Sequence, residues 1–315
     1  VTINYRLGIF GYFAHPELSA ESDYGVSGNY GTQDQILALQ WVQNNIFAFG
    51  GDPSNVTIFG ESAGSWSVSH LVASPLAKGL FHKAIGQSGA YFSPMRHLKQ
   101  PRCGALSAEA TGKRFADCIG TASLVDLRRL SAHELQQAAN EQQAVIPGEL
   151  AVIDGRVFPQ SVYDIFAQGQ QNDVPIIVGF NADEGSGLSD HGVVATVPLT
   201  AEHYIEEINI RYDDLAESYL TQYPADNLQD VVFNAYRDSA FGWQMQSWAG
   251  MTKTVSSSAY LYYFSHIPPG AEKGWPVLSD NIDYKVRQIG ALHAGEIIYV
   301  FNNLSLYNNV IPLTM

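Results

Sequence analysis

Five residues, Gly60-Glu61-Ser62-Ala63-Gly64, set a serine between two glycines, directly after the apolar run Val56-Thr57-Ile58-Phe59 and directly before a helical pattern. In that setting the serine is a candidate nucleophile. A hydroxyl attacks poorly until an imidazole takes its proton, and the imidazole needs a carboxylate to hold its tautomer and stabilise its charged form. A serine that must stand clear of a sheet sits on a tight strand-to-helix turn. Flanking glycines at Gly60 and Gly64 remove the Cβ atoms expected to clash there. The helix that begins at Ser62 aims its free amides and its dipole at negative charge developing on the attacked group, with the Ala63 N–H as one oxyanion donor.

On such a turn the acid and then the base follow the serine along the chain. Glu184 lies four residues beyond the apolar run Val174 to Phe180, where a loop at the carboxyl end of a strand would carry it, but Asp183 is adjacent and Asp190 is close. Position does not choose among them. Of the nine histidines, His266 follows the strand-like run Ala259 to Phe264, and His293 lies farther along. The residues by themselves divide the base role evenly between these two.

The elements that must position these groups are short β-branched runs alternating with longer helical patterns, which is the signature of βαβ units and a mainly parallel sheet. Strands are expected at Val1 to Tyr5, Val56 to Phe59, Lys83 to Gln87, Val174 to Phe180 and Ala259 to Phe264. Ile36, Leu39, Val42 and Ile46 recur along one face of an amphipathic helix, which stops at the turn formers Phe49-Gly50-Gly51-Asp52-Pro53. Ala108 to Asn140 and Ala201 to Gln246 read as helical regions without intervening strands.

Composition closes other routes. A chain of 315 residues with 46% hydrophobic side chains builds a core without disulfides or structural metal. Seventeen Lys+Arg against 31 Asp+Glu give a formal charge of −14, and no basic cluster offers a footprint for nucleic acid or an anionic membrane. No apolar stretch is long enough for a membrane span. Neither G-x-x-x-x-G-K-[ST] nor G-x-G-x-x-G occurs at a strand–helix junction, and His293 with Glu296 lacks an accompanying H-E-x-x-H or C-x-x-C, so neither nucleotide nor metal is expected. The first residues, Val1-Thr2-Ile3-Asn4-Tyr5, open inside a strand pattern without an initiator Met, as expected of a chain cut from a longer one.

Several blocks together resemble a known family. They are Asn4-Tyr5-Arg6-Leu7-Gly8, Asn29-Tyr30-Gly31, Phe49 through Gly64, Ser74-Pro75-Leu76-Ala77-Lys78-Gly79-Leu80-Phe81, Gln87-Ser88-Gly89, Gly179 through Gly185 and Gly290-Ala291-Leu292-His293. Their order and wording resemble the type-B carboxylesterases, bacterial members above all. The resemblance implies the α/β class and the α/β-hydrolase fold: a mainly parallel sheet flanked by helices, forming one partial domain over residues 1–315. Helical insertions would fall at about 103–150 and 199–255.

The implied activity is hydrolysis of a small-molecule carboxylic ester through an acyl-enzyme, with no cofactor. Ser62 would be the nucleophile, Glu184 the acid in preference to Asp183, and His293 the base in preference to His266. The family pattern also places Glu61 and Ser88 in a polar network behind the serine, Met95 in the acyl pocket, and Arg6 with Asp34 in a buried salt bridge. The remaining oxyanion donors belong to a glycine-rich loop that precedes the first strand. Cys118 falls near a family disulfide position, but Val125-Asp126-Leu127 holds no partner, and Cys103 would have to fold back along a helix to reach it. The alternative function is an adhesion or binding module of the same fold, as in relatives that lose triad members, whereas Ser62, Glu184 and His293 are all present here.

Overall fold

The computed structural model describes residues 1–121, 123–142, 151–187, 200–267 and 290–304. Its frame is a four-stranded parallel sheet in the order β1 (Thr57–Glu61), β2 (Lys83–Gln87), β3 (Ile176–Asn181) and β4 (Ala259–Phe264). Four of the five expected strands are therefore present, β2 and β4 with the expected bounds and β1 and β3 with ends shifted by a residue or two. Val1 to Tyr5 is not a strand: it has no ladder partner among the described residues, and a strand exists only through its pairing.

Parallel pairing puts every carboxyl end at the same edge, so the turns after β1, β2 and β3 open side by side. The register aligns Glu61 with Gln87 and Gln87 with Gly179. Ser62, Ser88 and the loop from Asn181 to Glu184 are thereby neighbours, although they are distant along the chain.

Side chains alternate across the sheet. Ile58, Ala84, Ile176 and Val178 are buried on one face, in a core shared with Val68, Leu71 and Val72 of the helix Ala63–Ala73 and Met245 and Trp248 of the helix Trp243–Met251. The approach is close: a Cβ on Gly86 would press on Trp248 and on Ser65 Oγ. On the opposite face Phe59, Ile177 and Tyr260 are exposed, and the register strings them together through Ile85.

The helix Tyr30–Asn45 turns Ile36, Leu39 and Val42 into the core, the face that their spacing marks. It ends through the 3₁₀ turn Ile46–Phe49 at Gly50, whose φ of 79° is left-handed and suits glycine. The helical stretch from Ala108 resolves into Ala108–Cys118, Leu124–Leu127 and Ala132–Glu141, the last opened by a capping box between Ser131 and Glu134. The stretch from Ala201 resolves into Ala201–Tyr212, Ala216–Gln222, Leu228–Arg237, a π turn at Asp238–Gly242, and Trp243–Met251. Residues 143–150 and 199, at the margins of the two expected insertions, lie outside the described residues, as do Asp190 and His191.

The expected burial of one ion pair needs correcting. Arg6 and Asp34 do pair, with Nε and Nη2 donating to the two carboxylate oxygens at 2.8 and 2.7 Å, but the Arg6 side chain is 53% exposed. A pair this open contributes about 0–1 kcal/mol, far below the cost of breaking a buried one. The pairing of Cys103 and Cys118, left open by the sequence, is absent: both are free and exposed, with the helix Ala108–Cys118 between them.

Candidate active site

The turn after β1 is tight. Ser62 has φ 55° and ψ −117°, a conformation that non-glycine residues rarely adopt and that costs of order 1–3 kcal/mol when held. Backbone bonds hold it: Ser62 N donates to Gln87 O at 2.8 Å, and Trp66 N donates to Ser62 O at 3.0 Å. The Ser62 side chain caps none of the helix amides. Ala63 is exposed at the first position of that helix, where its amide is free to face an incoming group.

The two flanking glycines differ. A Cβ on Gly60 would lie inside van der Waals distance of the Gly64 backbone, whereas one on Gly64 would meet nothing. Gly60 is thus the residue that the close strand–helix crossing demands, and the expected clash at Gly64 is absent.

Across the sheet edge Glu184 is fully buried. Its Oε1 accepts from Ser88 Oγ at 2.6 Å and from Asn181 N at 2.7 Å, and its Oε2 stands 2.6 Å from His293 Nδ1. A carboxylate can only accept, so this bond puts the ring proton on Nδ1 and leaves Nε2 as the basic nitrogen. Nε2 lies 3.1 Å from Glu61 Oε1, which makes no aligned hydrogen bond among the described residues. Glu61 belongs to the residue pair that brackets the imidazole, not to a bonded network behind the serine.

The electrostatics follow from this crowding. Burial works to lower the His293 pKa, but the Glu184 hydrogen bond and the charges of Glu184, Glu61 and Glu296 outweigh it, and the net shift is upward. Burial pushes the Glu61 carboxyl up to about 7; the imidazolium opposes this, and the carboxylates of Glu296 and Glu184 reinforce it. Phe241, from the π turn, lies against the imidazole with ring centroids 4.8 Å apart and closes that side to water.

The histidine loop is pinned to β3. Asp183 N donates to Ala291 O at 3.0 Å and Ala291 N donates to Asp183 Oδ2 at 2.7 Å, so Asp183 grips the loop instead of competing with Glu184 for the imidazole. Gly290, at φ 45°, is needed there because a Cβ would collide with the Asp183 carboxylate.

The rival histidine is elsewhere: His266 is exposed and stacks edge-on against Tyr299. His70 is sealed between Tyr91 and Phe158, and burial holds it neutral with a pKa lowered to about 3. Met95 packs in the main core, where its Sδ accepts from Val162 N at 3.2 Å. Phe241 is an aromatic side chain that packs against His293.

A model of the carboxylesterase family matches residues 1–311. The chain belongs to that family. Fumonisin B1 esterase of Sphingopyxis macrogoltabida is 36% identical over 313 residues, covering 96% of this chain and 52% of that protein. The liver carboxylesterase of Sus scrofa is 33% identical over 326 residues, covering 96% and 55%. A solved PNB esterase superimposes with a TM-score of 0.74 at 29% identity, covering 99% of this chain and 59% of that one. These neighbours share the α/β-hydrolase fold, and the chain spans about half the length of the curated relatives it matches. No helix among the described residues is long and apolar enough to cross a membrane.

The sequence did not single out Asn181, Gln87 or Phe241. Gln87 Nε2 donates to Glu296 Oε1 at 2.9 Å, and Asn181 Nδ2 donates to Glu296 Oε2 at 2.6 Å and to Leu292 O at 2.8 Å. The available signals were that Gln87 and Asn181 fall within the blocks that resemble the family and that they end β2 and β3, where side chains meet whatever lies beyond the sheet.

Proposed function

We propose that the whole protein hydrolyses small carboxylic esters by a serine acyl-enzyme mechanism. The observation that carries this reading is the 2.6 Å contact between His293 Nδ1 and the fully buried Glu184, made beside the strained turn that presents Ser62.

His293 Nε2 takes the proton of Ser62 as Oγ bonds to the ester carbonyl carbon, and the carbonyl electron pair moves to oxygen as an oxyanion. The Ala63 N–H and the start of the following helix stabilise that oxyanion. Glu184 holds the Nδ1 tautomer and stabilises the imidazolium. Collapse of the tetrahedral intermediate breaks the bond to the alkoxy oxygen, which takes the proton from Nε2 and leaves as the alcohol. Water then attacks the acyl-Ser62 carbonyl with His293 again as base, releasing the acid and restoring the hydroxyl. Ser88 serves as a donor that keeps the Glu184 carboxylate oriented.

The test is hydrolysis of p-nitrophenyl esters by the whole protein. Ser62→Ala and His293→Ala are each expected to lose about 10⁶-fold in kcat, because triad members act as a unit, while His266→Ala keeps most activity. Rates near wild type in either of the first two variants contradict the assignment.

A further inference from the structure

We propose that Asn181 is a positioning residue that sets the separation between the acid and the base. The inference rests on the serine-esterase reading above and deepens it.

Asn181 ends β3 and is fully buried. It touches both partners of the acid–base pair through different groups. Its backbone N–H donates to Glu184 Oε1 at 2.7 Å. Its side-chain amide donates to Leu292 O, the residue before His293, at 2.8 Å, and to Glu296 Oε2, three residues after His293, at 2.6 Å. One rigid strand end therefore holds the acid by its backbone and brackets the histidine on both sides by its side chain.

The amide orientation is fixed by chemistry. Both partners of Nδ2 are acceptors, a carbonyl and a carboxylate, so the nitrogen must face them and both of its protons are used. Asn181 Oδ1 is buried without a hydrogen-bond partner among the described residues, a cost tolerated for the sake of the two donations. Glu296 is itself buried and is held from its other oxygen by Gln87 Nε2 at 2.9 Å, so the carboxylate that Asn181 grips is not free to swing. Asn181 thus acts through Leu292 and Glu296 on a loop that also carries the left-handed residue Ala294, at φ 65°. Asp183 pins the start of that loop at Ala291, and Asn181 adds the grips on Leu292 and Glu296 that flank the imidazole.

The experiment compares steady-state kinetics of the whole protein on a p-nitrophenyl ester for wild type, Asn181→Asp, Asn181→Ser and the double variant Asn181→Asp with Glu296→Gln. Ser62→Ala serves as the control for the reaction itself. Asn181→Asp keeps the shape but replaces a donor with an acceptor. Its kcat is expected to fall about 10²-fold, the cost of a small misplacement of a reacting group, with KM little changed. Its acid limb should move to higher pH, because an added carboxylate favours the imidazolium and the base must be neutral to act.

In the double variant the amide introduced by Glu296→Gln donates to the new carboxylate, and kcat should recover about tenfold. Asn181→Ser removes the grip without adding charge, so it should lose kcat with no shift of the acid limb. It decides the matter if the aspartate variant does not fold.

Wild-type kcat in Asn181→Ser overturns the proposal. So does a loss expressed mainly in KM, or a double variant no better than the single one. If Ser62→Ala keeps the wild-type rate, the reaction reading fails separately. Asn181 is then judged by proton NMR: the downfield Nδ1 proton shared by His293 and Glu184 is expected in wild type and lost in Asn181→Ser, and its persistence there overturns the proposal.

Discussion

The two halves of the candidate site are built by opposite means. Ser62 is held by its own backbone: a strained φ, an amide bonded to Gln87 O, and a glycine at Gly60 that lets the next helix cross close by. Glu184 and His293 are held by hydrogen bonds from two strand ends and a distant loop, through Ser88, Asn181, Asp183 and, by way of Glu296, Gln87. A nucleophile has to leave its resting contacts to attack, so it gains from a frame that leaves the hydroxyl unengaged. An acid that must keep one tautomer gains from being fully bonded and dry, where each hydrogen bond to a charged group contributes about 1.5–3 kcal/mol.

The largest expected effect breaks the bonded half. Glu184→Gln keeps the shape, removes the charge and turns a donor toward Nδ1, and kcat should fall by about 10⁴ from the wrong tautomer. A loss of tenfold or less would mean that the acid–imidazole pair is not the working one.

The backbone half is broken next, and there the two glycines should separate. Gly60→Ala drives a Cβ into the Gly64 backbone and should destabilise by about 1–3 kcal/mol in denaturant unfolding. Gly64→Ala meets open space inside a helix and should stabilise by about 0.5–1 kcal/mol. Equal losses at both positions would contradict the asymmetry of the turn.

These two halves were unequally legible in the sequence, and the reason is physical. The serine turn is local: strand, glycine, serine and helix are contiguous, so the motif carries its own geometry. The acid–base half joins residues far apart along the chain, and neither spacing nor hydrophobic period could decide between His266 and His293 or reveal Asn181. Core-facing positions such as Ile36 and Leu39 were readable because a helix repeats them, and β3 and β4 because β-branched or aromatic runs mark them. Val1 to Tyr5 has the same strand-like composition, yet strand formation needs a partner, which composition does not encode. The Arg6–Asp34 pair was readable as a contact but not in its exposure, which depends on everything packed around it.

Smaller effects sharpen the comparison. Glu61 stands between the halves, next to Ser62 in sequence and 3.1 Å from His293 Nε2. Because it faces the imidazole, the two titrate as a pair. Its carboxylate raises the His293 pKa, so Glu61→Gln should lower that pKa and move the acid limb of kcat/KM to lower pH. A shift to higher pH would show that Glu61 does not act on the imidazole. Smallest of all, Arg6→Ala should cost about 0–1 kcal/mol in thermal or denaturant unfolding and leave kcat unchanged, since its ion pair is exposed and lies outside both halves. A loss above that range would restore the buried-bridge expectation.

The most direct measurement of the central claim is covalent trapping. The whole protein is treated with an activated organophosphonate, and the rate and position of the adduct are read by peptide mass spectrometry in wild type and in His293→Ala. One adduct is expected, on Ser62, formed rapidly in wild type and orders of magnitude more slowly without the imidazole. An adduct on another residue, or equal labelling of Ser62 in both proteins, would contradict it.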